Sequence, residues 1–179
     1  ARHSIPKKYK GKQVMMRSFF ECNFNHFIPN MSTLCIKKND FPENIFNASI
    51  DYHEDVDFFL RFADNLKIAF TYLPLAYINT EDENRMSSTA LGNKRLPDLS
   101  IFEKHYTNND EASKFINQQR LKYLMLSKKN NDLENIKIFK NQIDHNLLSF
   151  QKKLLILLPN KLFLTLVKFK RILRIWRFF

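Results

Sequence analysis

Apolar side chains recur three and four residues apart in several stretches, and that spacing sets the expected elements. Val56, Phe59, Leu60 and Ala63 share one helical face, widened by Phe58 and Phe62. Upstream, residues 1–17 read as a basic loop and a short strand. Residues 18–30 read as a short helix ending near Pro29, and the alternating run Ser32–Lys38 as a strand. "NDFPEN" is a turn. Leu66–Ile78 is rich in β-branched and aromatic residues, and Pro74 divides it into two short strands or a strand and a bend. Asn79–Asp98 is a polar loop. From about Ser100 the pattern is helical. Ala112, Phe115, Ile116 and Tyr123 mark one helix. Ile136, Phe139, Ile143, Leu147, Phe150, Leu154 and Leu157 form one continuous stripe, expected to pack within the chain or on a partner helix.

Composition narrows the chemistry. The 179 residues suffice for one domain-sized core. Gly11 and Gly92 are the only glycines, so the Gly-rich dinucleotide and P-loop fingerprints are excluded. Cys22 and Cys35 form neither a disulfide framework nor a metal-ligand spacing, and a reducing compartment is expected. No secretory signal is visible, and Pro159, Lys161 and Lys168 break the C-terminal apolar runs below the roughly 18 residues of a spanning helix. The net charge of +11 sits at the ends. Residues 1–17 carry six basic side chains and 151–179 carry eight, with no acid in either stretch. Such ends suit an anionic partner, although an A/T-rich genome would also enrich Lys, Asn, Ile and Phe.

The stretch "IDYHEDVDFFLRFADNL" gathers Asp51, His53, Glu54, Asp55 and Asp57 where a helix is expected to begin. Acids in a first turn oppose the positive end of the helix dipole, and Asp is a good N-cap, so spacing alone gives a structural reading. Asp57 lies roughly 200° around the helix from Asp55 and is expected to face solvent or a basic neighbour. Arg61 is expected to pair with a carboxylate of the cluster rather than simply to cap the helix face.

The order of motifs adds a second reading. "NHFIPNMSTLCIKKNDF", "FNASIDYHEDVDFFLRF" and "KIAFTYLPLAYINTEDENRMS" together resemble the second half of a bacterial family-2 glycosyltransferase domain. The resemblance covers roughly residues 1–90. Glu54-Asp55, Arg61, Tyr77, Asn84-Arg85 and Ser87 take the places of that family's motifs. It implies an α/β fold: the C-terminal part of a glycosyltransferase A-type (Rossmann-like) domain over 1–95. A helical extension over 96–158 and a basic amphipathic helix over 159–179 would follow. It implies that Asp55 is the base that takes a proton from an acceptor hydroxyl, with Glu54 orienting it or binding the acceptor. Arg85 would hold the donor diphosphate, and Ser32, Thr33 and His53 would line the acceptor side. The intact enzyme would need a divalent metal, Mg or Mn. The family's Asp-x-Asp element does not occur upstream of Asp55, and "DVD" belongs to the base motif, so no metal ligand is assigned in this chain. The chain then reads as the C-terminal part of a longer enzyme or as a truncated, non-catalytic module.

The closing segment, "PNKLFLTLVKFKRILRIWRFF", places Leu162, Leu166, Phe169, Ile172, Leu173 and Trp176 in one sector, with Lys and Arg around the remainder. It is expected to lie on an anionic membrane surface, or to pack on the core with its basic face solvated. Nucleic acid is a third, weaker option, since no recognised module accompanies the basic residues. The expected partners are therefore a nucleotide-sugar donor, a glycan or lipid-linked acceptor such as lipopolysaccharide or capsule, and the cytoplasmic face of the membrane. Self-association through the 132–158 helix is a further expectation.

Overall fold

A computed structural model describes residues 11–16, 18–23, 34–37, 41–71 and 94–175. The elements run β1 (Gln13–Met16), α1 (Phe19–Asn23), α2 (Glu54–Phe62), β2 (Ile68–Thr71), α3 (Leu99–His105), α4 (Asp110–Asn130), α5 (Leu133–Gln142), α6 (Phe150–Leu157) and α7 (Asn160–Ile175). Compactness divides the chain inside α4, between Phe115 and Ile116.

In the first unit, β1 pairs antiparallel with β2, Met16 opposite Ile68 and Val14 opposite Phe70. Among the described residues this is the only sheet, and it contains no parallel pair. Its core is aromatic. Phe19 stacks on Phe59 at 4.7 Å and meets Phe20 and Phe115 edge-on, while Phe20 meets Tyr106 edge-on. Such pairs contribute about 0.5–1.5 kcal/mol each beyond the area they bury. The α2 stripe is buried as its spacing predicts, from Val56 through Leu60. Tyr106 closes α3 and donates its hydroxyl to the Leu60 carbonyl at 2.9 Å, tying α3 to α2. Burial, and after it the charge of Asp64, pushes the Tyr106 phenol above its ordinary range.

The second unit is helical. Its first hairpin turns on Asn131, whose φ of 57° is left-handed. The Asp132 N–H bonds the Ser127 carbonyl at 3.0 Å and the Asn131 N–H bonds the Lys128 carbonyl at 3.3 Å, a Schellman closure of α4. Asp132 then caps α5 through the Asn135 N–H. Polar side chains along α4 end the helices beside it. The Asn117 amide accepts from the Asp144 N–H at 2.9 Å and donates to its carbonyl at 2.8 Å. Arg120 donates to the Gln142 carbonyl at 3.0 Å. Lys128 Nζ, in a buried residue, donates to the carbonyls of Leu155, Ile156 and Leu158 at 2.8–3.0 Å and lies 5.5 Å from the centre of the Phe163 ring.

Two expected elements are corrected. Leu34–Lys37 belongs to no strand; alternation sets two faces but supplies no hydrogen-bonding partner. The stripe from Ile136 to Leu157 is not one helix. It breaks at Ile143, whose backbone is extended, and resumes only after a 3-10 turn at His145–Leu147 that Asp144 caps. The break shifts the phase. Phe139 and Ile143 point inward, but Leu147, Phe150, Leu154 and Leu157 are exposed, and Leu148 and Ile156 are buried in their place. The expected second strand after Pro74 and the polar loop up to Asn93 lie outside the described residues. Among those residues no helix is long and apolar enough to cross a membrane.

Replacing Asn117 by Ala should lower the unfolding free energy by about 2 kcal/mol, because two backbone groups lose their partner. Replacing Asn131 by Gly should change it by less than about 0.5 kcal/mol, since Gly accepts the left-handed backbone, whereas Val there should cost about 1–2 kcal/mol. Denaturant titration of the three variants checks the set.

Candidate active site

The acid-rich stretch is held from both sides. An Asx turn, in which Ser49 donates its N–H and Oγ to Asn47 Oδ1 at 3.0 and 2.7 Å, leads the chain in. Asp51 then meets Arg95 four times. Its N–H donates to the Arg95 carbonyl at 2.9 Å, and its carboxylate accepts from Arg95 N, Nε and Nη2 at 3.1, 2.8 and 2.8 Å. The Arg95 side chain, and next its backbone N–H, hold the Asp51 carboxyl well below the usual carboxylate range.

His53 is the N-cap of α2 and sits in the left-handed region, φ 62° and ψ 37°. For a residue other than Gly, Asn or Asp this costs about 1–2 kcal/mol and persists only where surrounding contacts enforce it. The contacts here are the Asp51–Arg95 ring on one side and the helix on the other. The His53 carbonyl accepts from the N–H groups of Val56 and Asp57 at 3.0 and 3.2 Å. The Tyr52 ring stacks on the His53 imidazole at 4.3 Å, and Lys94 Nζ lies 4.9 Å from the centre of the Tyr52 ring.

The three acids of the first turn have separate surroundings. Asp57 is only 4% exposed and binds Arg61 Nε at 2.7 Å, while Arg61 Nη2 donates to the Ile45 carbonyl at 2.6 Å. Of the two environments expected for Asp57, the basic neighbour is found and solvent is not; the apolar face is wide enough to draw it inside. Glu54 and Asp55 are half-buried. Asp55 Oδ1 accepts the Val56 N–H at 2.8 Å, which fixes the plane of its carboxylate. The Tyr52 hydroxyl feels both acids: burial first, then the charges of Asp55 and Glu54, raise its ionisation above the ordinary phenol value.

The structure thus brings His53, Glu54 and Asp55 together with Tyr52, with Lys94 over the Tyr52 ring and Arg95 on the neighbouring Asp51. Ser32, Thr33 and Arg85 lie outside the described residues. Tyr52, Lys94 and Arg95 escape sequence reasoning: the separation of 44 positions between Asp51 and Arg95 leaves no local signal, and a tyrosine beside acids is unremarkable as text. Among the described residues no group of three or more His, Cys, Asp or Glu side chains is placed to hold a metal ion. Comparison with protein-family models, curated proteins and solved structures finds no match for this chain.

Two titrations test this geometry. The Asp51 interaction contributes fully above the unfolded carboxyl value of 3.8 and is lost only as pH falls toward the depressed folded value. Its carboxyl carbon resonance should therefore stay that of the ion as pH falls through the unfolded carboxyl value of 3.8. Substituting both Glu54→Gln and Asp55→Asn should lower the Tyr52 phenol but leave it above the ordinary value, because burial is the larger cause. Phenolate absorbance, differenced against Tyr52→Phe, reads the shift.

Proposed function

We propose that the chain is the acceptor-side, C-terminal part of a family-2 glycosyltransferase of the α/β A-type fold. The enzyme passes a sugar from a nucleotide-sugar donor to a hydroxyl of an envelope glycan at the cytoplasmic face of the membrane. The observation that carries this reading is the division of labour in the first turn of α2. Asp57 is buried and taken up by Arg61, whereas Glu54 and Asp55 stay half-buried at the helix start, behind a strained His53. An oriented carboxylate that remains partly accessible suits proton abstraction from a sugar hydroxyl during direct displacement at the anomeric carbon. Asp55 is the base in this scheme, and Glu54 and His53 border the acceptor. Ser32 and Thr33 extend the acceptor side and Arg85 meets the departing diphosphate, these three by resemblance alone. The divalent metal of such enzymes finds no ligand set among the described residues, so no step is assigned to it.

Sugar transfer should be assayed with a panel of nucleotide sugars, using the protein with any sequence that flanks Ala1 and Phe179 in its reading frame. Asp55→Asn should lower kcat/KM by about 10²–10⁴-fold with the fold retained. Asp57→Asn should act mainly on stability. Turnover that survives Asp55→Asn overturns the assignment, and a folded protein inert toward every donor favours a non-catalytic module.

A further inference from the structure

Two apolar strips of the second unit face solvent. On α6, Phe150, Leu154 and Leu157 are 79%, 51% and 65% exposed; on α7, Leu162, Leu166 and Phe169 are 54%, 48% and 57% exposed. Each trio steps by four and three residues and so spans roughly 60° of its helix. The inward positions belong to Ile156 and Phe163, both buried. The corner between the helices is fixed from beneath. Lys128 takes up the last carbonyls of α6 and reaches Phe163 of α7, and Asn160 Nδ2 donates to Asn131 Oδ1 at 2.7 Å. The strips are therefore presented on held helices.

Charge decides what covers them. From His145 to Phe179 there is no acid, and eight Lys and Arg residues follow Phe150. Lys153 borders the α6 strip, and Lys161 and Lys168, both exposed, share one flank of α7. A second copy of the chain would bring two such basic sets together. A nucleic acid would neutralise the cations but leave six large apolar side chains in water. Anionic lipid headgroups above acyl chains satisfy both requirements. We propose that the α6 and α7 strips together form the surface by which this chain lies on an anionic bilayer, with Phe150, Leu154 and Leu157 immersed as well as the C-terminal helix. The proposal does not depend on sugar transfer.

The test is co-sedimentation of the full chain with phosphatidylcholine vesicles, with and without phosphatidylglycerol. The protein should partition onto the anionic vesicles and stay in solution with the neutral ones. Phe150→Ser, Leu154→Ser and Leu157→Ser combined should weaken partitioning at least about tenfold without altering the circular dichroism, since all three side chains are exposed. Lys161→Gln with Lys168→Gln should reduce the preference for phosphatidylglycerol. Absence of partitioning, indifference to phosphatidylglycerol, or a triple variant that binds like the parent overturns the proposal. So does a dimer, seen by analytical ultracentrifugation, that the triple variant dissolves. No readout involves Asp55, so failure here leaves the catalytic assignment standing.

Discussion

A helix that stops within a protein leaves carbonyls that must find donors, and the second unit depends on how that demand is met. An unpaired buried carbonyl costs about 1–3 kcal/mol. The donors come from α4: Asn117 and Arg120 near its middle serve the turn at Asp144 and the end of α5, and Lys128 in its last turn serves the end of α6. These side chains interrupt the apolar surface of α4, which is why that helix is only weakly two-sided in sequence. They also decide where its neighbours stop, and hence which of the later leucines face outward.

In the first unit, aromatic packing plays the corresponding part. Phe58 and Phe59 draw the α2 helix against Phe19 and Phe41, and the position of the helix fixes which acid of its first turn goes inside. Asp57 shares the buried run and must have a cation; Arg61, one turn on, supplies it. Glu54 and Asp55 precede that run and keep contact with water. The same packing thus buries one carboxylate against its cation and leaves the other two partly exposed.

Local order was legible in the residues; long-range closure was not. The spacing of Val56, Phe59 and Leu60 locates α2, because that helix buries one face, and the Ala112–Tyr123 pattern locates α4, because its apolar side chains are buried even though polar ones lie between them. The stripe from Ile136 to Leu157 misled for a physical reason: periodicity cannot register an amide on another helix seizing the backbone at Asp144. Asp57 was placed on the right side of the helix for a partner, but its burial depends on how far the phenylalanine face spreads. At the candidate site, Glu54 and Asp55 stood out as a dipeptide. Tyr52 becomes visible only through folding, which sets its hydroxyl within reach of both charges, and Arg95 only through its bonds to Asp51.

The ring between Asp51 and Arg95 has a consequence for how this fold tolerates change. It fastens the entry to α2 directly onto the entry to α3, so the ends of the intervening segment are joined by their own contacts. The entropy of closing such a segment grows only with the logarithm of its length. The two helix entries are thereby registered by contacts of their own rather than by the length of chain between them, so the footing of the carboxylates at residues 54 and 55 rests on Asp51 and Arg95 being kept as a pair.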